Sequence, residues 1–410
     1  MTARRILFCI HLCAGTAAGV VIFTMSFTGI VLAFERQIVR WADREYRVES
    51  EPGQHRMAID SLIANVQAAQ GGGISAITVR SDPADAVEFS LGRERTIFVN
   101  PYTGQILGEG SRGIRNIFAQ VENVHRWFGM GKENRRLGHA ITGACTLVFL
   151  LLVLSGPILW WPKEWTGPNL KKILLFRTGS SLRAVFWNWH NVAGIWCAVP
   201  LFLIVFTGVI MAYPWANTAL YRLTGNEPPA QPQASAAGQR PQEREVRNAA
   251  TAVVLEPLFV RAEEQVSDWK SIVLRLPVSA RKPVEFSIDS SAGGRPQQRS
   301  QLSLDSASGA VVRWEPFTSY NLGRRLRIWA RFTHTGEAGG VLGQAIAALA
   351  AFGACVGVFT GLTLSLWRFL SGRRVLLRNM SARIVKATAR VLPETRKCIC
   401  AMPTRKVHRS

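Results

Sequence analysis

Residues 184–215 read AVFWNWHNVAGIWCAVPLFLIVFTGVIMAYPW, a run of 32 residues whose one acidic or basic side chain is His190. About 20 apolar residues are enough for a helix to cross the hydrocarbon core of a bilayer. A histidine inside such a helix is costly unless it has a partner. The stretch therefore predicts a membrane helix that binds something through His190.

This stretch has a near copy at the start of the chain. His11 and His190 each stand four residues before a glycine and 17 residues before a Thr-Gly pair, in HLCAGTAAGVVIFTMSFTG and HNVAGIWCAVPLFLIVFTG. The likeness continues further on, where VENVHRWFG with His125 and ARFTHTGEAGG with His334 each precede another apolar run. We therefore expect two copies of helix, outer domain, histidine connector and helix, related by a pseudo-two-fold axis along the membrane normal.

The 410-residue chain is 48% hydrophobic and has four uncharged runs of membrane length, at 6–34, 140–161, 184–215 and 338–367. The first run is 29 residues long, well beyond a signal peptide's apolar core of roughly 7–15 residues, so we expect an uncleaved anchor. The predicted fold class is a membrane protein with four transmembrane α-helices in a pseudo-two-fold repeat.

Each predicted outer domain begins with a helical pattern and continues with alternating strand patterns. The first has a helix at 58–69 and strands in ISAITVRSD, AVEFSLGR and RTIFVNPYTGQIL. The second follows a Pro- and Ala-rich linker at 226–240 and has a helix at 247–266, then SIVLRLP, VEFSID and QLSLDSASGAVVRW. We therefore expect two small α+β modules, the second more divergent.

These patterns divide the chain into nine predicted segments. They are 1–36 (first transmembrane helix), 37–124 (first outer module), 125–138 (histidine connector), 139–161 (second helix), 162–183 (cytoplasmic loop), 184–215 (third helix), 216–333 (second outer module), 334–370 (histidine connector and fourth helix) and 371–410 (basic cytoplasmic tail).

Charge predicts the orientation. Residues 1–5, 162–184 and 368–410 together carry 19 Lys and Arg against two acidic residues, whereas 37–138 and 214–338 are nearly balanced. Because short basic flanks stay on the cytoplasmic side, both termini are expected inside and both modules outside. The net charge of +22 mostly reflects these flanks, so nucleic-acid binding is not expected. The basic tail is expected to lie on anionic lipid or to dock an acidic electron donor.

The cysteines predict no disulfide framework, because five of the seven lie in the predicted helices and none lies in the modules.

Four histidines are candidate ligands. His11 and His190 are expected near the cytoplasmic ends of their helices, and His125 and His334 just outside two others. Two facing imidazoles suit the two axial positions of a haem iron, and Gly15 and Gly194 would leave room for the macrocycle.

Other interpretations remain open at this stage. Zinc needs four ligands and fits two histidines poorly. The membrane histidines could instead bond a neighbouring helix or relay protons. The connector histidines could simply face water. His139 has no equivalent and is expected at the interface, while His55 and His408 have polar neighbours and receive no role.

Several motifs resemble a known family. VNPYTGQILGE, HRWFGMG, WNWHNVAGIW with FTGVIMAYPWAN, and RFTHTGE with GQAIAALAAFGACVGVFTGL are similar to the PepSY-associated transmembrane helix proteins, over residues from about 6 to 370. The resemblance implies a bacterial inner-membrane protein with PepSY-like periplasmic domains. It also implies that His11, His190, His125 and His334 are haem ligands. For the connector histidines, His125 and His334, this favours a ligand role over simple exposure to water.

The resemblance implies two functions that the sequence alone leaves open. In the first, two b-type haems pass electrons from a cytoplasmic or quinone donor to a periplasmic ferric siderophore or other ferric chelate, which releases iron. In the second, the PepSY-like domains bind or regulate a periplasmic partner without redox activity. The sequence has no nucleotide or flavin fingerprint that would identify the donor.

Overall fold

The computed structural model describes residues 2–399 apart from 52, 72, 93–94, 163, 180, 230–252 and 292, and for 172 and 372–399 it describes the backbone alone. Most of the predicted linker at 226–240 and His408 therefore lie outside the described residues.

Four long helices form a bundle. They are α1 (Ala3–Leu32), α5 (Arg135–Trp160), α7 (Leu182–Ala212) and α11 (Gly340–Ile399), and each contains a window apolar and long enough to cross a membrane. Contacts run from α1 to α5, α5 to α7, α7 to α11 and α11 back to α1, so α1 and α7 lie diagonally opposite. At most a third of each window is buried, which leaves an apolar surface for lipid. The chain is therefore a multi-pass membrane protein with four candidate spans.

Shorter helices lie at the two ends of the bundle. At one end are α2 (Glu35–Ala42), α4 (Arg112–Trp127), α8 (Pro214–Leu223) and α10 (Leu322–His334). At the other end, α6 (Gly167–Leu174) lies between α5 and α7. The first end also carries the β-sheet, and we name the two ends the sheet side and the loop side.

The strands form one antiparallel sheet. They are β1 (Ala76–Arg80), β2 (Val87–Leu91), β3 (Arg95–Val99), β4 (Ile106–Glu109), β5 (Ser271–Arg275), β6 (Val284–Asp289), β7 (Arg299–Leu304) and β8 (Val311–Pro316). Their order is β4-β3-β2-β1-β5-β6-β7-β8. The two predicted modules thus share a single eight-stranded sheet, joined where Ala76–Arg80 pairs with Ser271–Arg275. The third strand predicted in the first module is two strands, β3 and β4, which pair across a turn.

Two helices cover one face of this sheet and cap each other. The alternating residues of both halves form one buried core with α3 (Ile59–Gln70) and α9 (Glu256–Gln265). The Asp60 carboxylate accepts hydrogen bonds from the backbone N–H groups of Leu255 and Glu256, and the Glu256 carboxylate accepts one from Ile59. Each helix thus satisfies the free N–H groups at the start of the other.

Candidate functional site

The loop-side pair consists of His11 on α1 and His190 on α7. Their ring centres are 6.4 Å apart and their planes are nearly perpendicular, at 88°. Both histidines lie near the start of helices that run toward the sheet. The diagonal arrangement of α1 and α7 therefore brings the two imidazoles together inside the bundle, one nearly perpendicular to the other.

The sheet-side pair consists of His125 and His334. Their ring centres are 6.3 Å apart, with an interplanar angle of 63°. His125 lies near the end of α4 and His334 ends α10, so both residues predicted in connectors are helical. α4 packs against α1 and α10 packs against α7, which holds both rings against the bundle.

The Nδ1 atom of each loop-side histidine has a hydrogen-bond partner. Nδ1 of His11 lies 2.7 Å from Oγ of Ser155, and that hydroxyl donates to the Leu152 carbonyl at 3.2 Å. With its proton directed to that carbonyl, the Ser155 hydroxyl is positioned to accept from an Nδ1–H of His11. Nδ1 of His190 lies 2.8 Å from the carbonyl of Gly357, which can only accept.

The same pattern holds for the sheet-side pair. Nδ1 of His125 lies 2.9 Å from Oγ1 of Thr28, whose hydroxyl donates to the Thr24 carbonyl at 2.7 Å. Nδ1 of His334 lies 2.8 Å from the carbonyl of Ile204. These partners favour the tautomer with the proton on Nδ1 at all four histidines, and in that tautomer the Nε2 lone pair is available to bind a metal.

Ser-Gly and Thr-Gly pairs on neighbouring helices support the four rings. A Cβ atom at Gly361 would lie 3.1 Å from Cε1 of His190, and one at Gly208 would lie 3.2 Å from Cε1 of His334. At Gly29 the distance to Cε1 of His125 would be 3.6 Å. These glycines let the imidazoles pack against the helix backbone. The sequence shows the repeated pairs but not which histidine each one meets.

The two pairs lie at opposite ends of the bundle. Thr28, which holds His125, follows His11 by 17 residues on α1, and at 1.5 Å per residue this is roughly 26 Å along the helix axis. The arrangement therefore places one histidine pair toward each side of the membrane.

A cavity of about 1330 Å³ surrounds the loop-side pair. Its walls come from α1, α5, α7 and α11 and are mainly apolar, and they include Gly15 and Gly194. A Cβ atom at Gly194 would meet nothing within 4 Å. The volume exceeds the roughly 300–1,000 Å³ of ordinary small-molecule pockets, so a large planar ligand has room.

The donor set at both pairs fits haem better than zinc. A metal–imidazole bond is about 2.0–2.1 Å long, so two imidazoles on opposite sides of one metal have ring centres roughly 6 Å apart. Both pairs meet this spacing. Within the described residues, no group of three or more His, Cys, Asp or Glu side chains could hold a metal ion by itself. Two axial ligands suffice when a macrocycle supplies the equatorial ones.

The other described histidines and cysteines take no part in the two pairs. His139 and His55 are exposed, and neither shares a ring contact with the two pairs. Cys355 is buried between helices, while Cys9 and Cys13 are exposed on α1. The five cysteines whose side chains the structure describes are free thiols.

These features define a class of protein: a multi-pass membrane protein whose helix bundle carries paired histidines beneath an antiparallel sheet. The chain matches the family described as "PepSY-associated TM region" over residues 8–368, and it belongs to this family. A search of curated proteins found no match. The family predicted from the sequence motifs is therefore confirmed.

Proposed function

We propose that this protein binds two b-type haems and passes electrons across a membrane. One observation carries the proposal: in both histidine pairs the ring centres lie 6.3–6.4 Å apart, and Nδ1 of each ring lies within hydrogen-bond distance of a neighbouring helix. A bound haem would supply one-electron redox chemistry at each site.

The chain's own residues would orient the ligands and exclude water. His11 with His190, and His125 with His334, would hold one iron each. Hydroxyl and carbonyl acceptors fix the four ring orientations, which raises the basicity of the ligating nitrogens. With a ligand in the cavity, its mainly apolar walls would limit the contact of the loop-side pair with water. No acid–base or nucleophilic group is required, since the cofactor carries the chemistry.

The proposed direction of transfer uses the orientation that charge predicts. Residues 1–5, 162–184 and 368–410 carry 19 basic and two acidic residues, which supports a cytoplasmic location for both termini and a periplasmic location for the sheet in a bacterial inner membrane. Electrons would enter from a cytoplasmic or quinone donor and leave on the sheet side. The family resemblance supports a ferric siderophore or other ferric chelate as acceptor, reduced so that iron is released.

We also propose that the two halves form a pseudo-two-fold repeat. The equivalent histidines form the two pairs, and the equivalent helices α3 and α9 cap each other. The central strands β1 and β5 are equivalent as well and pair antiparallel. In this arrangement each half contributes one ligand to each haem.

Absorption spectroscopy of the purified full-length protein tests the proposal. After expression with ample haem, we expect a Soret band that shifts on dithionite reduction. His190→Ala should lose roughly half of the bound haem, because only the loop-side pair is broken. His139→Ala removes an exposed histidine and should keep both haems. A colourless wild-type preparation would contradict the proposal and leave the non-redox binding function.

A further inference from the structure

The cavity around the loop-side pair carries positively charged side chains at its mouth. Five arginines line it, namely Arg4, Arg5, Arg177, Arg183 and Arg368, and none of the described residues that line it is Asp or Glu. None of the five forms an ion pair within the part of the chain that the structure describes. Guanidinium groups beside an apolar cavity favour an anionic ligand.

Two of these arginines are held in place by neighbours that leave their charge unpaired. The guanidinium of Arg368 lies over the ring of Phe8, 5.2 Å from its centre. One terminal nitrogen of Arg4 donates to the carbonyls of Leu159 and Trp161, at 2.7 and 3.0 Å. Carbonyls and aromatic faces orient a guanidinium without neutralising it. The mouth is therefore a preorganised cationic rim.

The rim lies at the right depth for one edge of a ligand bound to the histidines. Arg183 precedes His190 by seven residues on α7, which places its backbone roughly 10 Å nearer the loop side. A planar ligand held between His11 and His190 lies across the line joining α1 and α7, so its plane runs along the bundle. One edge of that plane then faces the arginines.

We propose that this arginine rim binds the two propionate carboxylates of the loop-side haem, so that the macrocycle is held with its carboxylate edge toward the loop side. The inference rests on the proposed haem function and names residues that the histidine spacing does not reveal. Bidentate guanidinium–carboxylate pairs are the strongest hydrogen bonds available for this purpose. Anionic lipid headgroups share this chemistry and are the competing ligand.

The test compares haem with haem dimethyl ester, in which both carboxylates are neutral. Full-length protein is depleted of haem, placed in nanodiscs and titrated with each compound. The loop-side binding step is identified as the step lost in His190→Ala. We expect wild type to bind the diester at least about tenfold more weakly than haem at this step, since hydrogen bonds to charged groups are the strong class.

Variants of the rim test whether its arginines cause the preference for haem over the diester. Arg183→Gln with Arg368→Gln should weaken haem binding at the loop-side step by at least about tenfold and abolish the preference over the diester. Arg183→Lys with Arg368→Lys keeps the charge and should retain most of the preference. Lys171→Gln removes an exposed loop-side charge outside the cavity and should change neither value.

The outcomes distinguish failure of the arginine-rim inference from failure of the proposed haem function. Equal binding of haem and diester by wild type, or an unchanged preference in the double Gln variant, would overturn the inference while leaving the haem function intact. A variant that loses anionic lipid from nanodiscs but keeps its haem preference would assign the rim to lipid and also overturn it. Absence of any haem binding by wild type would overturn both proposals.

Discussion

Replacing Ser155 by alanine tests the hydrogen bond that orients the loop-side histidine on α1. Ser155 is 4% exposed, and its Oγ atom lies 2.7 Å from Nδ1 of His11. Alanine leaves this part-buried ring nitrogen without its hydrogen-bond partner, which costs about 1–3 kcal/mol. Loss of such a support typically weakens metal binding about 10- to 100-fold, and since about 1.4 kcal/mol is tenfold, the two ranges agree. We therefore expect haem affinity at the loop-side step to fall about 10- to 100-fold.

The assay is a haem titration of depleted protein in nanodiscs, followed by absorbance. Thr363→Ala is the control, because Thr363 lies on α11 outside the cavity and its hydroxyl bonds the Phe359 carbonyl of its own helix, at 2.8 Å, and no histidine. The control should bind haem as wild type does. Equal affinities for Ser155→Ala and wild type, with both proteins folded, would refute the assignment of this hydroxyl to ligand orientation.

Two further predictions concern a close contact of His190 and the cap of a sheet-side helix. Gly361→Ala places a methyl group 3.1 Å from Cε1 of His190 and should shift the Soret maximum and lower haem retention. Gly113→Ala on α4 is the control: its methyl group meets nothing within 4 Å and lies outside the cavity, so it should do neither. Identical spectra for the two variants would contradict close packing at His190. Asp60→Ala removes the cap at the start of α9 and should lower the free energy of unfolding by about 1–2 kcal/mol. Denaturant unfolding measures this loss, with Glu49→Ala at an exposed position as the control. Equal stabilities of the two variants would show that the cap contributes little.

The sequence predicts much of this architecture because its signals are local or repeated. Apolar length identifies the four spans, and the repeated spacing around His11 and His190 singles out the residues that the structure brings together. His125 and His334 follow from the same repeat and also meet. Their role as haem ligands stays a prediction.

Other features depend on contacts between distant segments, which periodicity does not encode. An alternating strand such as β1 indicates a buried face but not its neighbour, so the junction with β5 is absent from the sequence patterns. The acceptors at Ser155 and Ile204 belong to helices other than those of their histidines. The arginine rim gathers residues from three separate segments of the chain, and in the sequence these look like ordinary orientation signals.

The β1–β5 junction has a consequence for biosynthesis. About 190 residues and two membrane crossings separate the two strands along the chain. At about 5–20 residues per second of translation, β1 waits roughly 10–40 s for its partner. During that interval it is an open strand edge that can pair with another nascent chain. Completion of the sheet is therefore tied to insertion of the third span, and a ribosome stalled before β5 would release a product prone to aggregate.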